Sequence, residues 1–412
     1  MLLVPRRRLF ADLSPLRESV DFRWLWAGQS LSAVGNVMTM VAVSIQAYDV
    51  TGSSIAVGGL GLANLIPTLL LGLFGGSIAD AVDRRRLVLL TSTGLMAVAI
   101  LFAVQAFLHW DRLWLLYLLT ATSAALAAVD GSARRTFPPR FLPARLLPAA
   151  AALNQLSFQV AIIAAPLLAG VLIATVGIGA AYAVDAVTFL AALAGVRRLP
   201  PMPPVGGGAT FGLRSVAEGI RYAARHPLIG MIFLLDLNAT ALAMPTALFP
   251  ALADTHFGGG PQTVSYLFAA IGDGGIVAAT LSGPLGHLRH QGRAMLISVA
   301  LWGTAIGAVA LTTHLWLGLI CLATAGAADI ITTVFRATIL QANTPDDLLG
   351  RVSSLDLMVG IGGPNLGNLR AGTLGGVLGP APALLLGGLT CLLGAGLLTA
   401  SSKTFRRYDA SR

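Results

Sequence analysis

The chain has 412 residues, 56% of them apolar and only 11% charged, and its 27 Lys and Arg against 18 Asp and Glu give a net charge of +9. A soluble domain carries about 25% charged residues, so this composition excludes a cytosolic enzyme and a disordered chain and leaves an integral membrane protein. The positive charge comes in short clusters between apolar runs rather than along a continuous basic face, which argues against nucleic-acid binding.

The Arg6-Arg7-Arg8 cluster is not followed directly by a short apolar core and cleavage site, so no cleavable signal peptide is read there. A spanning helix needs about 20 apolar residues. In chain order, the apolar runs predict spans at 24–48, 54–79, 87–107, 113–137, 147–176 and 178–196. A second set follows at 227–252, 263–285, 294–311, 315–338, 352–375 and 380–401. Run 294–311 is short, and run 352–375 contains Arg370. With the N-terminus inside, every Arg and Lys except Arg112 and Arg370 falls in a cytoplasmic segment or at an inner helix end. That asymmetry supports an even number of spans with both termini cytoplasmic. Arg outnumbers Lys so heavily, Lys403 being the one lysine, that a GC-rich bacterial gene is indicated.

Between the two sets, the Pro- and Gly-rich run 199–208 cannot be helical. Beyond it, Phe211, Val216, Ile220 and Tyr222 alternate with Arg214, Glu218, Arg221 and Arg225, the pattern of an amphipathic helix on the inner membrane face. The expected division is therefore a six-helix half at 1–198, a cytoplasmic linker at 199–226 and a second six-helix half at 227–412. Arg134 and Arg336, Pro143 and Pro345, Leu146 and Leu348, Leu147 and Leu349, and Gly170 and Gly372 all stand 202 residues apart, which suggests duplication.

The loop after the second span reads Gly76-Ser77-Ile78-Ala79-Asp80-Ala81-Val82-Asp83-Arg84-Arg85-Arg86. It resembles the loop motif of the major facilitator superfamily, departing from it at Ala81 and Asp83, where the family often has Arg and Gly. The resemblance implies that Gly76 allows close helix approach and that Asp80 faces the positive N-terminal end of the eleventh helix, near Val352. It further implies that Arg84 pairs with Asp130, these contacts together locking an outward-open state. The runs Leu248–Asp254, Ala325–Asp329 and Leu340–Val352 resemble the enterobactin exporter branch of that superfamily. The likeness covers about residues 20–400 and implies an all-α fold of about twelve transmembrane helices in two halves. It also implies a proton-driven exporter of a siderophore or another hydrophobic compound, working in the bacterial inner membrane.

Ionisable groups at bilayer depth are functional suspects, because the charged form is costly there. Asp236 and Asp273 lie about ten residues into their spans, roughly 15 Å deep at about 1.5 Å per residue. Both are candidate proton carriers, Asp236 first, because in this superfamily the seventh span lines the cavity. Asn36, Asn238 and Arg370 are candidate cavity residues, with Arg370 alternatively pairing with an Asp or snorkelling to the outer surface. Gln29, Met38, Met40 and Gln46 extend the stripe of Asn36 on span one, a pattern that also suits ordinary helix packing. Asp329 and Arg336, seven residues apart, share a helical face and with Asp130 and Arg134 are expected to form an inner charge cluster. Asp185 and Asp356 are expected to be structural. Pro166 and Gly170 in span five suit helix packing and a kink as well as antiport.

Cys321 and Cys391 lie in apolar runs, no His or Cys spacing suits a metal, no nucleophile–base set appears, and the ATP-binding G-x-x-x-x-G-K-[ST] pattern is absent. The expectation is a non-enzymatic secondary transporter without cofactor or metal, acting as a monomer on a small-molecule cargo, protons and the lipid bilayer, with no nucleic acid. A broad multidrug or antibiotic efflux antiporter is the alternative of the same class, and a non-transporting membrane sensor the alternative of another.

Overall fold

The computed structural model describes residues 12–203, 213–281, 290–401, 405 and 408, apart from the side chains of 73–80, 213–216, 281 and 346–347. Twelve long helices account for most of the described residues. The first six are α1 (Val20–Thr51), α2 (Ser54–Ala81), α3 (Arg84–Phe107), α4 (Leu113–Arg134), α5 (Leu147–Thr175) and α6 (Ile178–Arg197). The second six are α7 (Pro227–Ala243), α8 (Pro261–Leu281), α9 (Gln291–Val309), α10 (Leu315–Asn343), α11 (Asp346–Leu378) and α12 (Pro380–Ser401). A bilayer core offers backbone groups no water, so a chain this apolar satisfies them within helices.

Eleven helices among the described residues are long and apolar enough to cross a membrane. The exception is α11, whose 33 residues are ample in length but include Asp346, Asp347, Arg351, Asp356, Asn365, Asn368 and Arg370. At about 1.5 Å per residue it measures roughly 50 Å, well beyond a hydrocarbon core of about 30 Å. This explains why several helices outrun their apolar runs. α1 starts at Val20 rather than 24, α10 reaches Asn343 rather than 338, and α11 starts at Asp346 rather than 352. Polar residues do not end a helix once it has left the apolar slab.

The ends are set by local chemistry. The Ser19 hydroxyl accepts from Phe22 N at 3.1 Å to cap α1, and Gly52 closes it in a left-handed conformation at φ 61°. The α5–α6 and α11–α12 turns are made by Gly177 (φ 106°) and Gly379 (φ 89°), which stand 202 residues apart and extend the repeat read in the sequence.

The packing repeats as well. In the first half α1 packs on α5 and α6, α2 on α4, and α3 on α4 and α6. In the second half α7 packs on α11 and α12, α8 on α10, and α9 on α10 and α12, each pairing shifted by six helices. The halves meet along two equivalent seams, α2 with α11 and α5 with α8. Glycines set the spacing of both. A Cβ on Gly58 would lie 2.8 Å from the Asn368 carbonyl oxygen, and one on Gly61 would lie 2.7 Å from that of Asn365. On the other seam, a Cβ on Gly272 would meet Ile162 and Ile163 at 2.9 Å, and one on Gly170 would meet Ser265 Oγ at 2.5 Å. Gly170 and Gly372, the repeat pair, therefore occupy equivalent seams.

The seventh span is not the continuous helix that its apolar run predicts. It breaks at Met244-Pro245, passes through one turn at Thr246–Leu248 and resumes as Phe249–Thr255. Pro245 has no N–H and its ring clashes with the preceding turn. α11 supplies the missing partners. Arg370 Nη1 donates to the Leu242 carbonyl. Asn368 Oδ1 accepts from Ala247 N at 3.1 Å and from Thr246 Oγ1 at 2.6 Å.

The linker helix, Leu213–Arg225, lies against the start of α11 and against α7, and reaches the end of α10 through one hydrogen bond. Glu218 Oε2 pairs with Arg351 Nη1 at 3.1 Å, and Tyr222 Oη donates to the Asn343 carbonyl at 3.3 Å. Gly219 and Ala223 are buried by this contact, while Ile220, Arg221 and Arg225 stay exposed. The protein, and not lipid alone, thus covers part of the amphipathic face.

Two outcomes follow. Gly58→Leu is expected to force α2 from α11 and cost about 1–3 kcal/mol by overpacking, seen as a lower Tm in detergent, whereas leucine at the exposed Gly72 leaves Tm unchanged. Arg370→Leu is expected to strand the Leu242 carbonyl and cost about 1–3 kcal/mol, measured the same way.

Candidate functional site

The second half holds a charged cluster on three helices. Asp236 of α7 is 3% exposed, and its Oδ2 lies 2.5 Å from Nη1 of Arg336 on α10. Nε of the same guanidinium lies 3.2 Å from Oδ1 of Asp356 on α11. Asp329, two turns earlier on α10, is within electrostatic reach of both Asp236 and Arg336. Asp236 is nine residues beyond Pro227, about 14 Å along the helix at ~1.5 Å per residue. The cluster therefore sits deep in the bundle, with one cation paired to two carboxylates and a third nearby. Asp356, expected to be purely structural, is part of it, and at 33% side-chain exposure it is the most accessible of the two acids paired with Arg336.

The first half holds a separate set. Asp130 Oδ1 accepts from Thr91 Oγ1 at 2.6 Å and from Ser92 Oγ at 3.3 Å, both on α3. Its Oδ2 takes the Arg134 Nε of the next turn of α4, and Arg134 Nη2 donates to Ser92 Oγ at 2.7 Å. The carboxylate expected to receive Arg84 is thus filled by α3 and α4, because a residue four positions on along a helix is its natural neighbour. Among the described residues, no ion pair joins Asp130 and Arg134 to Asp329 and Arg336. The expected single cluster is two clusters, one in each half. Gly76 and Asp80 lie in the last turns of α2, but their side chains are outside the described residues.

A cavity of about 550 Å³ opens in the first half. Trp26, Gln29 and Asn36 of α1, Arg134 of α4, Asn154 of α5 and Phe189 of α6 contribute to its wall. Asn36, a candidate from the sequence, lines this cavity. Met38 is 1% exposed and turned into the core. Gln46 exchanges hydrogen bonds with Gln105 at 2.9 and 3.1 Å and accepts one from Tyr182 Oη at 2.9 Å, a closed internal network.

Asn238, Arg370 and Asp273 are not in the wall of this cavity. Asn238 donates to the Cys391 carbonyl at 2.9 Å in the seam between α7 and α12. Arg370 holds the break in α7 and donates to Thr390 Oγ1 at 3.0 Å. The Met244-Pro245 step was the signal that a backbone there would need a donor. Asp273 shares an exposed face of α8 with Tyr266 and Val277, while the flanking Gly272 and Gly274 pack against α5 and α10. The buried Phe268 points the other way, to a T-shaped contact with Phe249 at 4.9 Å. Depth along the helix was legible; the face was not. Asp185 accepts from Thr39 Oγ1 at 2.7 Å between α1 and α6.

The two ends of the molecule differ. At the end remote from the start of α1, that helix meets the second segment of span seven, with Tyr48 Oη 3.5 Å from Asp254 Oδ2. At the other end, the cavity reaches Phe22, Arg135, Pro138 and Leu147 at the helix termini. The halves touch at the first of these ends, and the first-half cavity reaches the helix termini at the other.

Comparison with known proteins fits this architecture. The enterobactin exporter EntS of Escherichia coli O81 is 29% identical over 399 residues, covering 96% of this chain and 95% of that protein. The enterobactin exporter EntS of Shigella boydii matches at the same identity and coverage. Among solved structures, the nucleoside transporter NupG superposes with a TM-score of 0.70 at 14% identity, covering 93% of this chain and 99% of that one. A bacterial homolog to the human lysosomal transporter Spinster, inward-facing and unoccupied, gives 0.68 at 17% identity, covering 93% and 96%. At these identities the structures speak for the fold alone. Residues 10–411 match the family described as Transmembrane secretion effector. The chain belongs to that family of major facilitator transporters, a multi-pass membrane protein that moves a small-molecule cargo and is not an enzyme.

Proposed function

We propose that the chain is a proton-coupled exporter that carries a siderophore or another hydrophobic small molecule out of the cytoplasm by alternating access. The observation that carries this reading is the Asp236–Arg336–Asp356 cluster, which ties α7, α10 and α11 together deep in the bundle. Two carboxylates share one guanidinium there, with a third, Asp329, within electrostatic reach. A surplus negative charge at this depth is costly, and binding a proton relieves it. Protonating Asp236 or Asp356 weakens its hold on Arg336 and so loosens the link between helices. That is a route by which proton binding biases one arrangement of the bundle over another.

The distribution of Arg and Lys sets the orientation in this reading, with both termini cytoplasmic in a bacterial inner membrane. The cavity end then opens to the cytoplasm, ready to load cargo. Residues 1–198 and 227–412 rock against each other about the two glycine-spaced seams, joined by 199–226. The α2–α3 loop, with Gly76, Asp80 and Arg84, acts as a gate. The protein works as a monomer in the bilayer.

The kind of cargo follows from the relatives named for enterobactin export and from the cavity wall. Trp26 and Phe189 offer flat apolar surface, and Gln29, Asn36 and Asn154 offer amides. The same mixed wall suits a broad efflux antiporter, and competition between siderophores and hydrophobic antibiotics separates the two readings.

The test uses the purified chain in proteoliposomes with a pH-sensitive dye inside. Cargo addition is expected to drive proton movement in the wild type. Asp236→Asn is expected to insert and bind cargo but to reduce that movement to background. Undiminished proton movement in Asp236→Asn would remove the cluster from the coupling mechanism.

A further inference from the structure

Asp83 stands where the superfamily's loop motif often has glycine, and its side chain does two things. Oδ1 accepts from Arg86 N at 2.9 Å, capping α3. Oδ2 accepts from Met202 N, also at 2.9 Å, 119 residues away in the linker. The backbone returns the contact, since Arg84 N donates to the Met202 carbonyl at 3.1 Å. Two hydrogen bonds in opposite directions thus fasten Met202 to the α2–α3 loop.

The neighbouring residues extend the contact. Arg85 Nη2 donates to the Arg197 carbonyl at 2.6 Å, and Arg140 Nη2 donates to the Pro203 carbonyl at 3.4 Å. Met202 is 1% exposed and Leu199 2% exposed, and both are buried in a small core with Leu25, Val88, Phe137 and Val196. A Pro-rich stretch has few N–H groups and little reason to adopt one position by itself. Here the one non-proline residue among Pro200–Pro204 supplies both the buried side chain and the N–H that Asp83 receives.

We propose that Leu199–Pro203 is a working part of the α2–α3 loop, with Asp83 and Met202 as positioning residues that make the gate and the start of the linker move as one piece. The far end of the linker is fastened to the other half by Glu218–Arg351 and Tyr222–Asn343. Both described ends of the linker are thus fastened, one to the α2–α3 loop and one to the second half. The link to transport rests on the α2–α3 loop acting as a gate; the fastening itself does not.

Asp83→Ser separates the two roles of the carboxylate. Serine caps a helix about as well as aspartate, but its hydroxyl is too short to reach Met202 as well. Asp83→Ala removes both. The measurement is amide hydrogen exchange on the full chain in lipid nanodiscs, paired with cargo export from the same preparations. In Asp83→Ser, exchange across 199–203 is expected to rise several-fold while the first turn of α3 stays protected. Export kcat is expected to fall several-fold at unchanged KM. Wild-type exchange at 199–203 in Asp83→Ser, with loss only in Asp83→Ala, would overturn the proposal and leave Asp83 a helix cap. Faster exchange with unchanged export would overturn the positioning role. Absence of export by the wild-type chain would instead count against the exporter reading, with the exchange result standing on its own.

Discussion

A polypeptide backbone in hydrocarbon has no water to bond with, and every part of this molecule is arranged around that demand. Helices meet it by themselves. Where a helix fails, another must supply the partner. The break at Met244-Pro245 survives because Arg370 and Asn368 of α11 bond the freed carbonyl and amide. An arginine in the eleventh span thereby has a backbone partner to serve. The same demand makes helix packing depend on close approach, since lipid gives apolar side chains no reason to prefer one another. Hence the glycines along both seams, which bring α2 and α11 together backbone to backbone and seat side chains directly on glycine between α5 and α8.

Those seams shape the proposed motion. The pairing of α2 with α11 and of α5 with α8 is one contact used twice, related by the internal repeat. Two equivalent narrow seams leave the ends of the halves free to part while the middle stays in register. The buried charges are distributed to suit this. Asp130 and Arg134 are closed within the first half by Thr91 and Ser92. Asp236, Arg336 and Asp356 instead bridge three helices of the second half and carry surplus negative charge. In the proposed cycle the first set is scaffold and the second responds to protons.

How much was legible in the sequence differs by kind of information. Apolar run length and the Arg distribution carried the helix count, because membrane thickness and loop charge are one-dimensional constraints. The offset of 202 residues was legible from Arg134 and Arg336 and reappears in the positive-φ pair Gly177 and Gly379. Depth was legible too, and it gave Asp236 and Asp273 alike. Facing was not. Asp273 lies as deep as Asp236 but on an exposed side of α8. Asn238 points to α12, although two residues from Asp236. An Arg84–Asp130 pair was implied by resemblance, yet Arg134, four residues along the same helix, takes that carboxylate. Asp83, a departure from the family motif, acquires its second partner only when the linker folds back onto the loop. A partner 119 residues away leaves no local pattern to read.

In the proposed cycle the two halves exchange which end is open under the control of protons. Electron spin resonance distances measure this directly, with spin labels at His109 and Leu311 on the end where the halves touch and at Arg135 and Ala337 on the cavity end. Each pair joins equivalent, exposed positions of the two halves. Changing pH in nanodiscs is expected to move the two distances in opposite directions, one lengthening as the other shortens, and Asp236→Asn to freeze both. Distances that do not change with pH, or that lengthen and shorten together, would contradict alternating access driven by this cluster.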